Sequence, residues 1–271
     1  PGQCNPRISA DIITAYENAL NRKYNIAREI VLKLGRDFPY DPAGPTGEMV
    51  LYQVMMLEND DYEYDEEFRE AAWKASEAAK RFASQATHND WYFTILGATY
   101  GIQGIYFLRR AEYFEALPPG YKGLQSMQVA VKMNENNWEA RMGIGLFLYY
   151  RSAFASMLPN PWTDQRQKGI DEVRLAGENR GYLNEVSRIA LYYIYVNEKD
   201  YDRARQIMDA LIAQRPDFVI FYQLAGRAMS EKGDMERAYR YYDKMREVDP
   251  SLYLPYFKLG EISLNLGNKK E

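Results

Sequence analysis

Apolar and polar residues alternate along this chain with the period of an α-helix. Between residues 65 and 86, apolar side chains recur three or four positions apart, at Ala72, Ala75, Ala79 and Phe82. No segment shows a clear two-residue alternation of the kind that marks a half-buried strand. We therefore expect an all-α fold of about thirteen antiparallel helices, with no sheet.

A recurring pair of residues divides these helices into repeats. In three places an alanine is followed twelve residues later by a proline, and the second and third places lie 34 residues apart. Alanine allows two helices to approach closely, and proline cannot continue a helix. Each pair therefore predicts the second helix of a helical hairpin and the start of the next hairpin. The pairs are Ala27 with Pro39, Ala204 with Pro216, and Ala238 with Pro250.

The repeat over residues 219–251 is the most complete one. Gly226 and Ala238 are expected to form the close contact between its two helices, and Gly233 permits a left-handed residue in the turn. Two bulky side chains, Tyr222 and Tyr242, and a proline that ends the second helix, Pro250, complete the pattern. With its period of 34 residues, this unit resembles a tetratricopeptide repeat (TPR).

The resemblance extends over residues 8–267 and is clearest at 24–39 and 185–267. It implies a single domain over residues 1–271, built as a right-handed superhelical solenoid. A loop rich in proline and glycine at 39–47 should precede helices at 47–58 and 65–86. The expected units are 8–41, a divergent helix pair at 42–88, two widened repeats at 89–182, and TPR units at 185–218, 219–252 and 253–271, the last one incomplete.

The middle of the chain has a longer period. Residues 122–130 match residues 168–176 at an offset of 46, and Gly97 and Gly143 share that offset. We expect two widened repeats whose first helix is longer by about two or three turns, with the second extension ending in the loop 158–165. This segment is similar to a group of bacterial TPR proteins with the same widened middle.

The resemblance implies a non-catalytic protein that binds a protein or peptide in the groove formed by the first helices. By register, the groove residues are Tyr193, Gln223, Arg227, Glu231 and Phe257. The alternative is a small-molecule-binding or enzyme-associated domain whose widened repeats enclose a central pocket. The residues proposed to line that pocket are Tyr100, Tyr149, Tyr150, Arg151 and Trp162.

Composition narrows the choice of partners. The chain has 271 residues, a formal charge of -4, and 24 tyrosines within an aromatic content of 14%. An acidic balance without a basic run argues against nucleic acid as a partner. No stretch reaches the roughly 20 apolar residues of a membrane span, so we expect a soluble protein. The single cysteine, Cys4, excludes an internal disulfide, and we interpret it as a tail thiol, with lipid attachment as the alternative.

Candidate chemistry is sparse. His88 is the one histidine and lies in a polar link, where we expect a surface role. The acidic run 59–67 lacks the glycine and spacing of a calcium loop and predicts a helix N-terminus instead. Arg109, Arg110 and Arg151 each follow an apolar helix stretch, where an arginine extends to solvent or pairs with a carboxylate. We expect no enzyme activity, no metal and no cofactor.

The two ends of the chain carry further expectations. Residues 253–267 predict a first helix without its partner, with an open apolar face at Leu259, Ile262, Leu264 and Leu266. Such a face invites self-association through the C-terminal helix. The sequence begins with proline, which favours either removal of a leader or trimming. The sequence does not determine the compartment, and an exported or periplasmic location in a bacterium is one option.

Overall fold

The structure is a computed structural model that describes residues 6–59, 62–85, 89–156, 163–179 and 184–267. Within these ranges it contains thirteen α-helices and no strand, which confirms the expected all-α class. The helices are α1 Pro6–Leu20, α2 Tyr24–Asp37, α3 Ala43–Asn59, α4 Asp65–Gln85, α5 Asp90–Arg109, α6 Tyr113–Met133, α7 Trp138–Ala155, α8 Arg166–Glu178, α9 Asn184–Asn197, α10 Tyr201–Gln214, α11 Val219–Lys232, α12 Met235–Val248 and α13 Tyr253–Asn265.

The helices fall into two compact units. The first comprises Pro1–Ala19 and Lys23–Asn184, and the second comprises Leu20–Arg22 and Glu185–Glu271. In the first unit each helix from α2 to α8 packs on its neighbour in sequence, and in the second unit the same holds from α10 to α13. The single-domain organisation expected from the sequence stays a prediction.

The core of the first unit is built from the faces that the helical periodicity indicated. Ala72, Ala75 and Ala79 are buried, and Phe68 of the same helix stacks on Tyr106 with ring centroids 4.4 Å apart. Met49 and Met56 of α3 close this cluster. Small side chains on α4 therefore let α3 and α5 approach it closely, which positions the start of α5 and the loop before α3.

Glycines allow close contact between the helices of the widened repeats. A β-carbon added at Gly97 or Gly143 would collide with the side chain of Met127 on α6. Gly101 and Gly104 of α5, by contrast, leave room for a side chain of alanine size. A β-carbon at Gly104 would meet its nearest neighbour only at 3.5 Å, and one at Gly101 would meet nothing within 4 Å.

The helix extension in this region differs from the expectation. Helices α5, α6 and α7 contain 20, 21 and 18 residues, whereas α9 to α12 contain 14 each. The first helices are longer by about one to two turns rather than two or three, and the second helix α6 is lengthened as well. Pro118 and Pro119 lie inside α6.

The loop before α3 is shorter than the composition suggested. Helix α3 begins at Ala43, so Pro45 and Gly47 are helical rather than part of the loop. Proline is tolerated in a first turn because its missing N–H group would have had no partner there. The carboxylate Oδ1 of Asp41 accepts a hydrogen bond from the Ala43 N–H at 2.9 Å and supports this early start.

The second unit repeats its contacts at the predicted spacing of 34 residues. The hydroxyls of Tyr222 and Tyr256 each donate to a proline carbonyl six residues earlier, at 3.1 and 3.2 Å. Asp200 and Asp234 cap α10 and α12 in the same way. Gly233 has a φ of 86° in the turn after α11, which confirms its predicted left-handed role.

The expected open apolar face of helix α13 is wrong for two of its four residues. Leu259 and Ile262 are buried, because α13 packs on α12. Leu264 and Leu266 are exposed, as predicted. None of the helices in the described ranges is long and apolar enough to cross a membrane.

Candidate functional site

The predicted groove residues lie on three helices of the second unit. Tyr193 is on α9, Gln223, Arg227 and Glu231 are on α11, and Phe257 is on α13. Tyr193 and Arg227 lie 34 residues apart at one register position, and Gln223 and Phe257 lie 34 residues apart at another. Their environments differ, because α11 is buried along most of its length whereas α13 is largely exposed.

Gln223 lies below the surface of this unit. Its side chain is only 7% exposed, and its Oε1 accepts a hydrogen bond from Nη1 of Arg22 at 2.8 Å. Arg22 belongs to the same compact unit and has a left-handed φ of 57°. A ligand must therefore displace Arg22 to reach the Gln223 amide.

Arg227 and Glu231 form an ion pair one helical turn apart. The Nε of Arg227 donates to Oε1 of Glu231 at 2.9 Å. Burial lowers the pKa of Arg227, and the hydrogen bond to Glu231 raises it, with a net upward shift. A partly exposed pair of this kind contributes little to folding stability, so its polar atoms can serve a partner at low cost.

Aromatic side chains dominate the exposed face of α13. Phe257 is 45% exposed and stacks on Tyr253, which is 76% exposed, with ring centroids 5.9 Å apart. The ammonium of Lys258 lies 5.3 Å from the Phe257 ring centroid. Tyr256 is exposed on the same helix. This helix therefore offers an aromatic surface with a positive charge beside it.

The residues proposed for a central pocket mostly have packing roles. Tyr100 and Tyr149 are buried in the core, and Tyr149 meets Tyr150 edge-on. Burial raises the pKa of the Tyr150 hydroxyl to about 12. The Nη2 of Arg151 donates to Oε1 of Gln165 at 2.7 Å. Trp162 lies outside the described residues, as do His88 and Cys4.

The acidic run and the two arginines after α5 meet in a structural cluster. Asp65 begins α4, as predicted, and accepts hydrogen bonds from Arg69, Tyr106 and Arg110. Burial raises the pKa of Asp65, and these hydrogen bonds outweigh burial, so its pKa is lowered overall. The Nη2 of Arg109 donates to the Met56 carbonyl at 3.2 Å. In the described part of the chain, no group of acidic, histidine or cysteine side chains is arranged to hold a metal ion.

A cavity of about 360 Å³ lies in the first unit, and none of the described residues of the predicted sites is among its lining residues. Its volume is at the small end of the range for ligand sites, about 300–1,000 Å³. Sequence reasoning missed it because its walls come from four separate segments. The signal that was available is the concentration of aromatic and acidic residues around Tyr40 and Trp91. The lining residues are Ile8, Asp37, Phe38, Pro39, Tyr40, Asp41, Phe82, Trp91 and Tyr92.

Comparison with known proteins identifies the fold. No protein-family model matches the chain, and no curated protein matches it. Among solved structures, PilW, a widely conserved type IV pilus biogenesis factor, is 14% identical. Its superposition has a TM-score of 0.51 and covers 83% of this chain and 87% of PilW.

Two further structures are themselves described as tetratricopeptide repeat proteins. One, from Parabacteroides merdae, is 15% identical and covers 97% of this chain and 89% of its own. The C-terminal part of another, from Cytophaga hutchinsonii, is 18% identical and covers 96% of this chain and 90% of its own. Both TM-scores are 0.46, too low to carry an argument. The chain has a TPR-like fold, and the widened-repeat subgroup stays a prediction.

Proposed function

We propose that this protein is a non-catalytic scaffold that binds a protein or peptide partner on the first-helix face of its second unit. The observation that carries the proposal is the aromatic surface of α13, where Tyr253, Tyr256 and Phe257 are all exposed. Aromatic side chains are enriched at protein interfaces because they bury a large area at a small cost in conformational entropy. The proposed function requires neither a cofactor nor nucleic acid.

Polar groups on α11 complement this aromatic surface. Arg227 and Glu231 are held against each other at 2.9 Å, so both side chains are already ordered before a partner arrives. Pre-ordered side chains reduce the entropy lost on binding. Gln223 contributes only if the partner replaces Arg22, which we therefore expect to slow association rather than to set affinity.

The alternative function, a small-molecule pocket in the widened repeats, has less support. Tyr149 has no exposed surface, and Arg151 is engaged by Gln165. A ligand would have to open the packed core to contact the Tyr149 ring. We therefore place the partner on the second unit.

Site-specific crosslinking tests the proposal. A photoreactive phenylalanine analogue is placed at position 257, and in a control protein at position 114, where Phe114 of α6 is 74% exposed. We expect one partner to crosslink at position 257 and not at position 114. Equal crosslinking at both positions would indicate non-specific capture and would contradict the proposal.

The captured partner is then purified and its affinity measured by calorimetry. Phe257→Ala should weaken binding by about tenfold or more, as expected for an aromatic anchor. Phe114→Ala removes a ring of the first unit that is even more exposed, and it should leave the affinity unchanged. Loss of affinity in both variants, or in neither, would place the interface elsewhere.

Self-association through α13 is a separate proposal from the sequence. Leu264 is 69% exposed and Leu266 is also exposed, so a second copy of the chain could cover them. Sedimentation velocity over a range of concentrations distinguishes the two occupants. A dimer that dissociates in Leu264→Ser supports self-association. A monomer at every concentration contradicts self-association, and the occupant of the aromatic surface is then a different protein.

A further inference from the structure

The cavity of the first unit has aromatic walls. The rings of Phe82 and Tyr92 lie 4.6 Å apart between centroids and are tilted by 56°. Trp91 and Tyr40 line the same space. The face of an aromatic ring carries partial negative charge, so several rings around one space favour a cation over a neutral or anionic group.

The charged side chains that line the cavity are both negative. Asp37 and Asp41 are its two acidic residues, and no arginine, lysine or histidine is among the lining residues that the structure describes. Asp41 is partly buried, and its recorded hydrogen bond comes from the neutral Ala43 N–H. Over the ranges that the structure describes, no basic side chain pairs with Asp41. The carboxylate therefore loses hydration without gaining a counter-charge.

The pKa of the Asp41 carboxyl reflects this cost. Burial raises the pKa of Asp41, and the hydrogen bond from Ala43 only partly opposes it. A cation in the cavity would compensate the buried charge, because opposite charges close together stabilise each other's ionised form. The charge balance of the cavity thus matches the preference of its aromatic walls.

At the edge of the cavity, a carboxylate and an aromatic ring already bind a cation, which is the guanidinium of Arg7. The guanidinium of Arg7 donates from Nη2 to Oδ2 of Asp37 at 2.9 Å. The central carbon of this guanidinium, Cζ, lies 5.6 Å from the centroid of the Phe38 ring. A carboxylate and an aromatic face here bind one guanidinium together. Asp41 with Tyr92, Trp91 and Tyr40 offers the same two elements inside the cavity.

We propose that this cavity is a binding site for a guanidinium group, with Asp41 as the carboxylate that pairs with it and the aromatic side chains as its walls. Guanidinium fits this site better than ammonium because it is planar, less strongly hydrated, and able to stack on a ring while donating to a carboxylate. The ligand is either free arginine or a related small molecule, or an arginine side chain of a peptide. The proposal concerns the first unit and is independent of the function proposed for the second.

Nuclear magnetic resonance of the full chain tests the site directly. The indole N–H of Trp91 serves as the reporter, assigned by comparison with Trp91→Phe. The probes are N-acetyl-arginine methylamide and the corresponding citrulline derivative, which has nearly the same shape but no charge. We expect the arginine derivative to shift the Trp91 resonance to saturation and the citrulline derivative to leave it in place.

Two variants identify the groups responsible. Asp41→Asn keeps an oxygen that can accept the Ala43 N–H, so the start of α3 is preserved, and it should weaken binding by about tenfold or more. Tyr40→Ala removes a ring that is 71% exposed and makes little contribution to the core, and it should weaken binding by a few-fold. The matched control is Asp171→Asn on α8, which should bind with wild-type affinity.

The results also separate the two sources of the ligand. Tighter binding of Gly-Arg-Gly than of free arginine identifies a peptide side chain, and the reverse order identifies a small molecule. Three results would overturn the proposal: a Trp91 resonance unmoved by the arginine derivative at millimolar concentrations, equal binding of the citrulline derivative, or unchanged affinity in a folded Asp41→Asn variant.

Discussion

Gly145 of α7 and Gly169 of α8 face each other so closely that neither position has room for a side chain. A β-carbon on residue 145 would lie 2.7 Å from the carbonyl oxygen of Gly169, and one on residue 169 would lie 2.6 Å from the carbonyl oxygen of Gly145. Both obstacles are backbone atoms, which cannot rotate away as the end of a side chain can. This contact therefore fixes the separation of the two helices.

Gly169→Ala should accordingly lower the melting temperature. Overpacking costs about 1–3 kcal/mol, which exceeds the roughly 1 kcal/mol that alanine gains over glycine in a helix. Gly101→Ala on α5 is the control, because its β-carbon would meet nothing within 4 Å, and it should be neutral or stabilising. Circular dichroism melts measure both, and equal melting temperatures would refute the close contact.

Ala238 of α12, in the second unit, is completely buried. Ala238→Leu should separate α11 from α12 and destabilise the protein by about 1–3 kcal/mol. Arg237→Leu, at the exposed neighbouring position, should change stability far less. Equal shifts in the urea midpoints of the two variants would show that residue 238 does not lie at the helix interface.

Asn137 links the starts of α5 and α7 through buried hydrogen bonds. Its Nδ2 donates to Oδ2 of Asp90 at 3.0 Å, and its Oδ1 accepts from the Ala140 N–H at 2.9 Å. Asn137→Ala should cost roughly 2–4 kcal/mol, because it removes a helix cap and leaves a buried carboxylate with fewer donors. Asn136→Ala, next to it on the surface, should unfold at nearly the wild-type urea concentration.

Alkaline pH should destabilise the second unit through Tyr242. Burial raises the pKa of its hydroxyl to about 12, whereas a tyrosine in the unfolded chain titrates near 10. The stabilising effect is complete below pH 10 and is lost as the pH rises through 12, because the unfolded state releases the proton first. The loss amounts to roughly 2–3 kcal/mol.

Urea unfolding at a series of pH values checks this prediction. Tyr242→Phe lacks the titrating group, so its stability should fall less steeply than that of the wild type above pH 10. Tyr253→Phe changes an exposed ring and should keep the wild-type slope. An identical slope in all three proteins would exclude Tyr242 as a source of the alkaline transition.

Several features followed from the sequence because they depend on nearby residues. The left-handed turn at Gly233 and the buried Ala238 both arise within one helical hairpin. A period of 34 residues reports such hairpins reliably, since each one must satisfy the same backbone and packing constraints. The ends of helices were harder to predict from the sequence. Helix α3 begins at Ala43, because the Asp41 carboxylate accepts a hydrogen bond from the N–H of that residue.

Contacts between distant segments were decided only by the tertiary structure. Arg22 reaches Gln223 across 201 residues of sequence, and no local pattern predicts that the Gln223 amide is occupied. The cavity beside Asp41 likewise joins a helix end, a loop and three further helices. The sequence determined most of the helices and many of their buried faces, because these depend on spacing along one element. The pairing of separate surfaces depends on how elements pack in three dimensions, and that decided which side chains meet at a binding site.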